Sequence, residues 1–166
     1  FSQYRGYQPG DDLRLLDFER GRYFHVLLDG AYFSIPFPSC WCANRLPLEL
    51  TQQAEAAYRA ELVQGCPEAA DDDLFYTHLA AVSAYRIFNF LHYGMLQAEW
   101  LQKDGQWGIS TVRQRSVMWF DNLARMAEQS GRFEGVATAA HGLAKRLRHI
   151  YPSDLEEMPY YPAFRR

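Results

Sequence analysis

The chain has 166 residues, of which 48% are hydrophobic and 22% are charged, a composition that excludes a disordered tail. This length has room for one hydrophobic core, so we expect a single helical domain over residues 1–166. The 17 Lys and Arg residues and 20 Asp and Glu residues give a formal charge of −3, which argues against a nucleic-acid partner. The least charged run, residues 74–96, still contains two His, one Arg and one Asn, so no membrane partner is expected.

The three cysteines and the first residues bear on the cellular compartment. Cys40, Cys42 and Cys66 cannot all pair with one another, and the N-terminus has no secretory signal pattern, so a cytoplasmic protein is expected. Cys40 and Cys42 lack a second ligand pair at zinc-finger spacing. The histidines also lack a metal-binding spacing and are expected to be structural. Because the first residue is Phe1, we expect a piece of something longer, a processed product or a partly ordered chain.

The N-terminal quarter predicts a small β-hairpin followed by a short helix and a loop. Residues 8–12 have the Pro, Gly and Asp composition of a turn, and the leucines of residues 13–16 predict a strand. Residues 17–21 then place acids at the tip of this hairpin. Residues 23–33 predict a buried turn and a short helix, whereas the prolines within residues 35–48 predict an irregular but packed loop.

The rest of the chain predicts long helices from the spacing of its apolar residues and from signals at the helix ends. The predicted helices cover residues 49–63, residues 71–100, residues 110 or 111 to 131, and residues 133–150. The helix over 71–100 is apolar on nearly all sides, so we expect it to be the central helix. Aromatic residues make up 16% of the chain; most are expected in the core, and some are candidates for lining a cleft that binds an amine or a flat ring.

Asp17 and Glu19 are the candidate metal ligands, because they follow a short apolar strand directly. Mg²⁺ prefers oxygen ligands and often takes one or two carboxylates together with substrate phosphates and water. A rigid strand end would hold such a carboxylate in place. The alternative is that both acids are ordinary solvated turn residues.

Three segments together resemble the second half of the small-molecule kinases related to aminoglycoside phosphotransferases and choline kinases: Asp17-Phe18-Glu19, Asp29 within Leu28–Ala31, and Phe37–Cys42. The resemblance implies a mainly α fold, namely the helical C-terminal lobe of a protein-kinase-like fold with a small β-hairpin near the N-terminus. It also implies that Asp17 binds the Mg²⁺ that bridges the nucleotide phosphates and that Glu19 is the last acid of the same triplet. Asp29 would brace the catalytic loop from behind.

The chain departs from this family at its start. The family's catalytic loop carries a His-x-Asp pair and a metal-binding Asn, but residues 1–12 contain neither His nor Asn, and no phosphate-binding glycine motif is present. We therefore expect no catalytic residue in this chain and no activity from it alone. The resemblance implies that Mg²⁺ and ATP act in the intact protein, which would include an N-terminal lobe and bind an aminoglycoside- or choline-like acceptor.

Two alternatives to the phosphotransferase stay open. The first is a non-catalytic helical binding or assembly domain derived from the same fold. The second is a standalone helical interaction module, in which Asp17 and Glu19 are turn residues and an apolar groove is exposed. A His-x-Asp pair with a nearby Asn upstream of Phe1 would favour the enzyme.

Overall fold

A computed structural model of the chain describes residues 23–35, 42–90, 99–152 and 155–165. Over these residues the fold is mainly helical, as predicted. The helices are α1 (Leu27–Gly30), α2 (Leu48–Gly65), α3 (Asp72–Phe90), α4 (Glu99–Lys103), α5 (Val112–Ser130) and α6 (Glu134–Ile150), with 3-10 turns at Pro67–Ala70 and Pro162–Phe164. One antiparallel pair joins β1 (Gln106–Trp107) to β2 (Ser110–Thr111). The hairpin predicted for residues 13–21 lies outside the described residues.

Helices α5 and α6 form the most extensive helix pair of the described fold. Helix α5 begins with a capping box, in which the Thr111 side chain accepts from the Gln114 backbone N–H at 3.2 Å and the Gln114 side chain accepts from the Thr111 N–H at 2.9 Å. It ends at Gly131, whose φ of 64° is easily reached only by glycine. The apolar side of α6 carries three alanines and a leucine at helical spacing, and the small alanines allow close packing. These residues are Ala137, Ala140, Ala144 and Leu147.

Helix α3 also packs against α5. Asp71 caps it, since its Oδ1 accepts from the Leu74 N–H at 3.0 Å, in agreement with the capping role expected for the acids at this position. Leu79 and Ile87 are buried in the same core as Trp119 and Leu123 of α5. This core supports α1, which packs on α3.

The structure corrects the prediction that the 71–100 segment is the central helix. Tyr85 and Phe88 of α3 are 50% and 48% exposed, whereas Trp119 and Leu123 of α5 are completely buried. Helix α5 is central because both α3 and α6 pack against it, and these are the two most extensive helix pairs of the described fold. The structure describes α3 as far as Phe90 and α4 from Glu99, and residues 91–98 lie outside the described ranges.

Helix α2 matches its predicted bounds closely but is less buried than its spacing suggests. Of its residues only Thr51 is buried, and Ala57 is exposed although it follows Leu50 and Ala54 at the three- and four-residue steps of an apolar helix face. The helix packs mainly against the 3-10 turn at Pro67–Ala70 and against α1. Every helix in the described part of the chain is too short or too polar to cross a bilayer.

Candidate functional site

Of the three acids that carry the kinase resemblance, the structure describes Asp29 but not Asp17 or Glu19, the candidate metal ligands, which lie outside the described residues. Asp29 lies on α1, within the short helix predicted for residues 23–33. The candidate site is therefore built from α1 and the helices that hold it. Two of these, α2 and α3, contact α1 from different parts of the sequence.

Side chains from α2 and α3 hold the backbone of α1 in place. Four residues are too few for a helix to persist alone, so α1 depends on such contacts. The Tyr58 hydroxyl donates to the Val26 carbonyl at 2.9 Å, and Arg86 Nη1 donates to the Leu28 carbonyl. The Tyr58 ring also lies against Gly30, where an added Cβ would be only 2.8 Å from a ring carbon. Glycine is thus required at position 30 for close packing.

Arg86 is the central contact between α3 and α1. Its guanidinium lies 3.5 Å from the centroid of the Tyr32 ring, close enough for a cation–π interaction. Burial lowers the pKa of Arg86, while Tyr32 and Asp29 oppose that shift. An arginine nevertheless stays protonated at neutral pH. Arg86 therefore places a fixed positive charge beside Asp29 as well as fixing the α1 backbone.

The Asp29 carboxylate is exposed on this fixed turn. Within the described ranges it accepts no side-chain hydrogen bond, although its charge acts on its neighbours. The pKa of Tyr58 is raised first by burial and second by Asp29. A carboxylate held in this way is able to accept hydrogen bonds from the backbone N–H groups of another segment.

Two histidines meet at the N-terminal end of α1. The His25 and His78 rings lie edge to face with centroids 5.2 Å apart. His25 Nδ1 accepts from the Leu27 backbone N–H at 3.3 Å, so the neutral ring carries its proton on Nε2. Burial, and then the neighbouring His78, lower the pKa of His25. Sequence reasoning missed this pair, because only the packing of α1 on α3 brings the two rings together.

Four aromatic side chains of residues 23–24 and of α3 are exposed and are here together called the aromatic face: Tyr23, Phe24, Tyr85 and Phe88. Phe24 and Tyr85 stack with ring centroids 5.7 Å apart. Tyr23 is fully exposed, so the prediction of a buried segment over residues 23–33 is wrong at its first residues. The same prediction is confirmed at Leu27 and Ala31, which are buried.

No three His, Cys, Asp or Glu side chains within residues 23–35, 42–90, 99–152 and 155–165 are grouped to hold a metal ion. Neither a scan against protein-family models nor a search of curated proteins gives a match to the chain.

Proposed function

We propose that this chain supplies the helical C-terminal lobe of an ATP- and Mg²⁺-dependent phosphotransferase that acts on a hydroxyl of a small molecule. The observation that supports this proposal best is the exposed Asp29 carboxylate on a turn that Tyr58 and Arg86 hold in place. In the kinases that the sequence resembles, an aspartate at this position braces the catalytic loop. An exposed carboxylate on a fixed turn suits that task.

In this proposal Asp17 would be a ligand of Mg²⁺, with Glu19 as the second candidate ligand. Mg²⁺ commonly binds one or two carboxylates and completes its octahedral shell with phosphate oxygens and water, so a cage of several protein ligands is not needed. The ion would neutralise charge on the nucleotide phosphates. The acceptor and the nucleotide would bind between this lobe and the groups that an N-terminal lobe provides.

The test is phosphate transfer from ATP by the full-length gene product, measured with a panel of amino-sugar and choline-like acceptors. Asp29 is a positioning residue in this proposal, so Asp29→Asn should lower kcat by about 10²-fold with little change in KM, because the catalytic loop loses its alignment. The matched control is Asp73→Asn. Asp73 is exposed at the start of α3 and lies 3.7 Å from Arg132.

The thermal midpoints of both variants separate positioning from folding. The proposal predicts an unchanged midpoint and a low kcat for Asp29→Asn, and normal values of both for Asp73→Asn. Equal kcat values for the two variants would contradict the proposed role of Asp29.

The aromatic face favours a second candidate, the non-catalytic helical binding or assembly domain. Exposed clusters of large apolar side chains are typical of interaction sites. Phe24 and Tyr85 are about half exposed although they stack on each other. In this second candidate the full-length protein would neither bind Mg²⁺-ATP nor transfer phosphate, and Tyr85→Ala would weaken its assembly without changing its fold.

A further inference from the structure

A cleft of about 520 Å³ lies between α2, the start of α3 and the C-terminal half of α5. This volume is within the range of small-molecule sites in proteins. The cleft exists because α2 packs mainly against the 3-10 turn at Pro67–Ala70 and α1, which leaves a gap towards α5. It is separate from the Asp29 site, and the proposed phosphotransferase activity does not use it.

Arg59 lines one wall of the cleft, and each nitrogen of its guanidinium group makes a polar contact within the protein. Nε and Nη2 donate to the carbonyls of Ala69 and Ala70 at 2.7 and 2.9 Å, and Nη1 pairs with Asp72 at 2.6 Å. The guanidinium also lies 4.5 Å from the centroid of the Phe75 ring. Arg59 is therefore already paired with Asp72, and this ion pair forms part of the cleft wall.

The other end of the cleft holds two opposite charges that do not join each other. Glu55 of α2 and Arg125 of α5 are half-buried and both line the cleft. Glu55 accepts a long hydrogen bond, 3.4 Å, from the Ser34 hydroxyl. In the part of the chain that the structure describes, the Arg125 guanidinium forms no hydrogen bond or ion pair, and its charge acts on Glu55 across the gap. Burial raises the pKa of Glu55, and Arg125 and the Ser34 hydrogen bond oppose this rise.

These charges select the class of ligand. An anion alone would be attracted by Arg125 but repelled by Glu55. A cation alone would be attracted by Glu55 but repelled by Arg125. A molecule that carries a negative and a positive charge a few ångströms apart can pair with both residues. The arginine guanidinium binds a carboxylate in a bidentate manner, and Glu55 accepts hydrogen bonds from an ammonium group. We propose that the cleft binds a free α-amino acid, with its carboxylate on Arg125 and its ammonium group on Glu55.

The experiment uses the whole chain and an equimolar mixture of the protein L-amino acids. Saturation-transfer NMR identifies those that bind, and calorimetry measures their affinities for the wild type and for Glu55→Gln and Arg125→Met. Each substitution removes a charge-assisted contact and should weaken binding about ten-fold or more. The matched controls are Glu61→Gln and Arg146→Met, exposed residues of α2 and α6 that lie outside the cleft. Both should retain wild-type affinity.

Backbone chemical shifts of the wild type supply a readout that does not depend on how the variants fold. Addition of a bound amino acid should shift resonances of α2 and α5 around Glu55 and Arg125 and leave α6 unchanged. The proposal is overturned if no amino acid in the mixture binds to the wild type. It is equally overturned if the shifts lie elsewhere, or if folded Glu55→Gln and Arg125→Met proteins keep wild-type affinity.

Discussion

Helix α5 and the aromatic face differ in how much of their large side chains is exposed to solvent. In α5, Trp119 and Leu123 are fully buried, and both ends of the helix are capped. On the aromatic face, Tyr85 and Phe88 are about half exposed although α3, which carries them, has a larger share of apolar residues than α5. Helix α5 thus has its large apolar side chains covered within the described chain, whereas the aromatic face leaves large rings accessible to solvent. The first region is structural, and the second is the surface that favours the binding or assembly alternative.

The largest expected difference between the two regions is in the cost of removing a side chain. Leu123→Ala should lower the free energy of unfolding by about 2–5 kcal/mol, because it opens a cavity in the core. Phe88→Ala should cost about 1 kcal/mol or less, since half of that ring already contacts solvent. Urea denaturation of both variants measures this difference. Equal losses would mean that the aromatic face is as much a part of the core as α5.

Two glycines test the close packing of α1 with opposite signs. Gly30→Ala should destabilise the protein by about 1–3 kcal/mol, because the new Cβ meets the Tyr58 ring. The matched control is Gly142→Ala in α6, where nothing lies within 4 Å of the added Cβ. This control should stabilise the protein by about 0.5–1 kcal/mol, the usual helix preference for alanine. Thermal unfolding gives both values, and the same sign for the two would contradict the packing described for α1.

Removal of the N-terminal cap of α5 should change the free energy of unfolding by a smaller amount. Thr111→Ala removes the acceptor for the Gln114 N–H and should cost about 1 kcal/mol. Thr138→Ala makes the same chemical change at an exposed position inside α6, where no cap is lost and the helix preference for alanine should stabilise the protein by about 0.5 kcal/mol. Guanidinium denaturation distinguishes the two. A cost for Thr111→Ala no larger than that for Thr138→Ala would show that the capping box adds nothing to stability.

The smallest expected effect is the pH dependence of folding stability that arises from His25, just before α1. The folded pKa of His25 lies below its ordinary value of 6.5, so the unfolded chain binds a proton more readily than the folded chain. Stability therefore falls as the pH drops from about 6.5 towards the folded pKa, and it is retained above 6.5. His25→Asn should remove this part of the pH dependence. His78→Gln should only reduce it, because burial is the larger cause of the shift and persists.

Denaturation curves of the wild type and both variants between mildly acidic and mildly alkaline pH provide the measurement. If His25→Asn has the same pH profile as the wild type, His25 does not couple protonation to folding.

The sequence was most informative where structure is local. The end of α5 at Gly131 was predicted, and its start was predicted at Ser110 or Thr111, of which the structure shows Thr111. Both signals are local, since caps and positive-φ positions depend on a few neighbouring residues. The short β1–β2 pair was not predicted, because strands of two residues have no measurable alternation. The central position of α5 was also missed, since apolar spacing predicts that a face is buried but not which helix it packs against.

The candidate site also combines a residue that the local sequence indicated with residues that only the tertiary fold brings to it. Asp29 was identified from its sequence neighbours, but Tyr58 and Arg86, which hold it in place, belong to distant helices and carry no signal of their own. The cleft around Glu55 and Arg125 is likewise a product of how α2 stands relative to α5. The predictions for Asp17 and Glu19 are still predictions, because both residues lie outside the described ranges.

Magnesium-dependent phosphate transfer from ATP by the full-length gene product, compared with its Asp17→Ala variant, tests the central claim most directly. The proposed function predicts turnover that requires Mg²⁺ in the wild type and is lost in Asp17→Ala, with an unchanged thermal midpoint. Near-normal turnover in the variant would contradict it, as would a wild-type protein that neither binds nor turns over Mg²⁺-ATP.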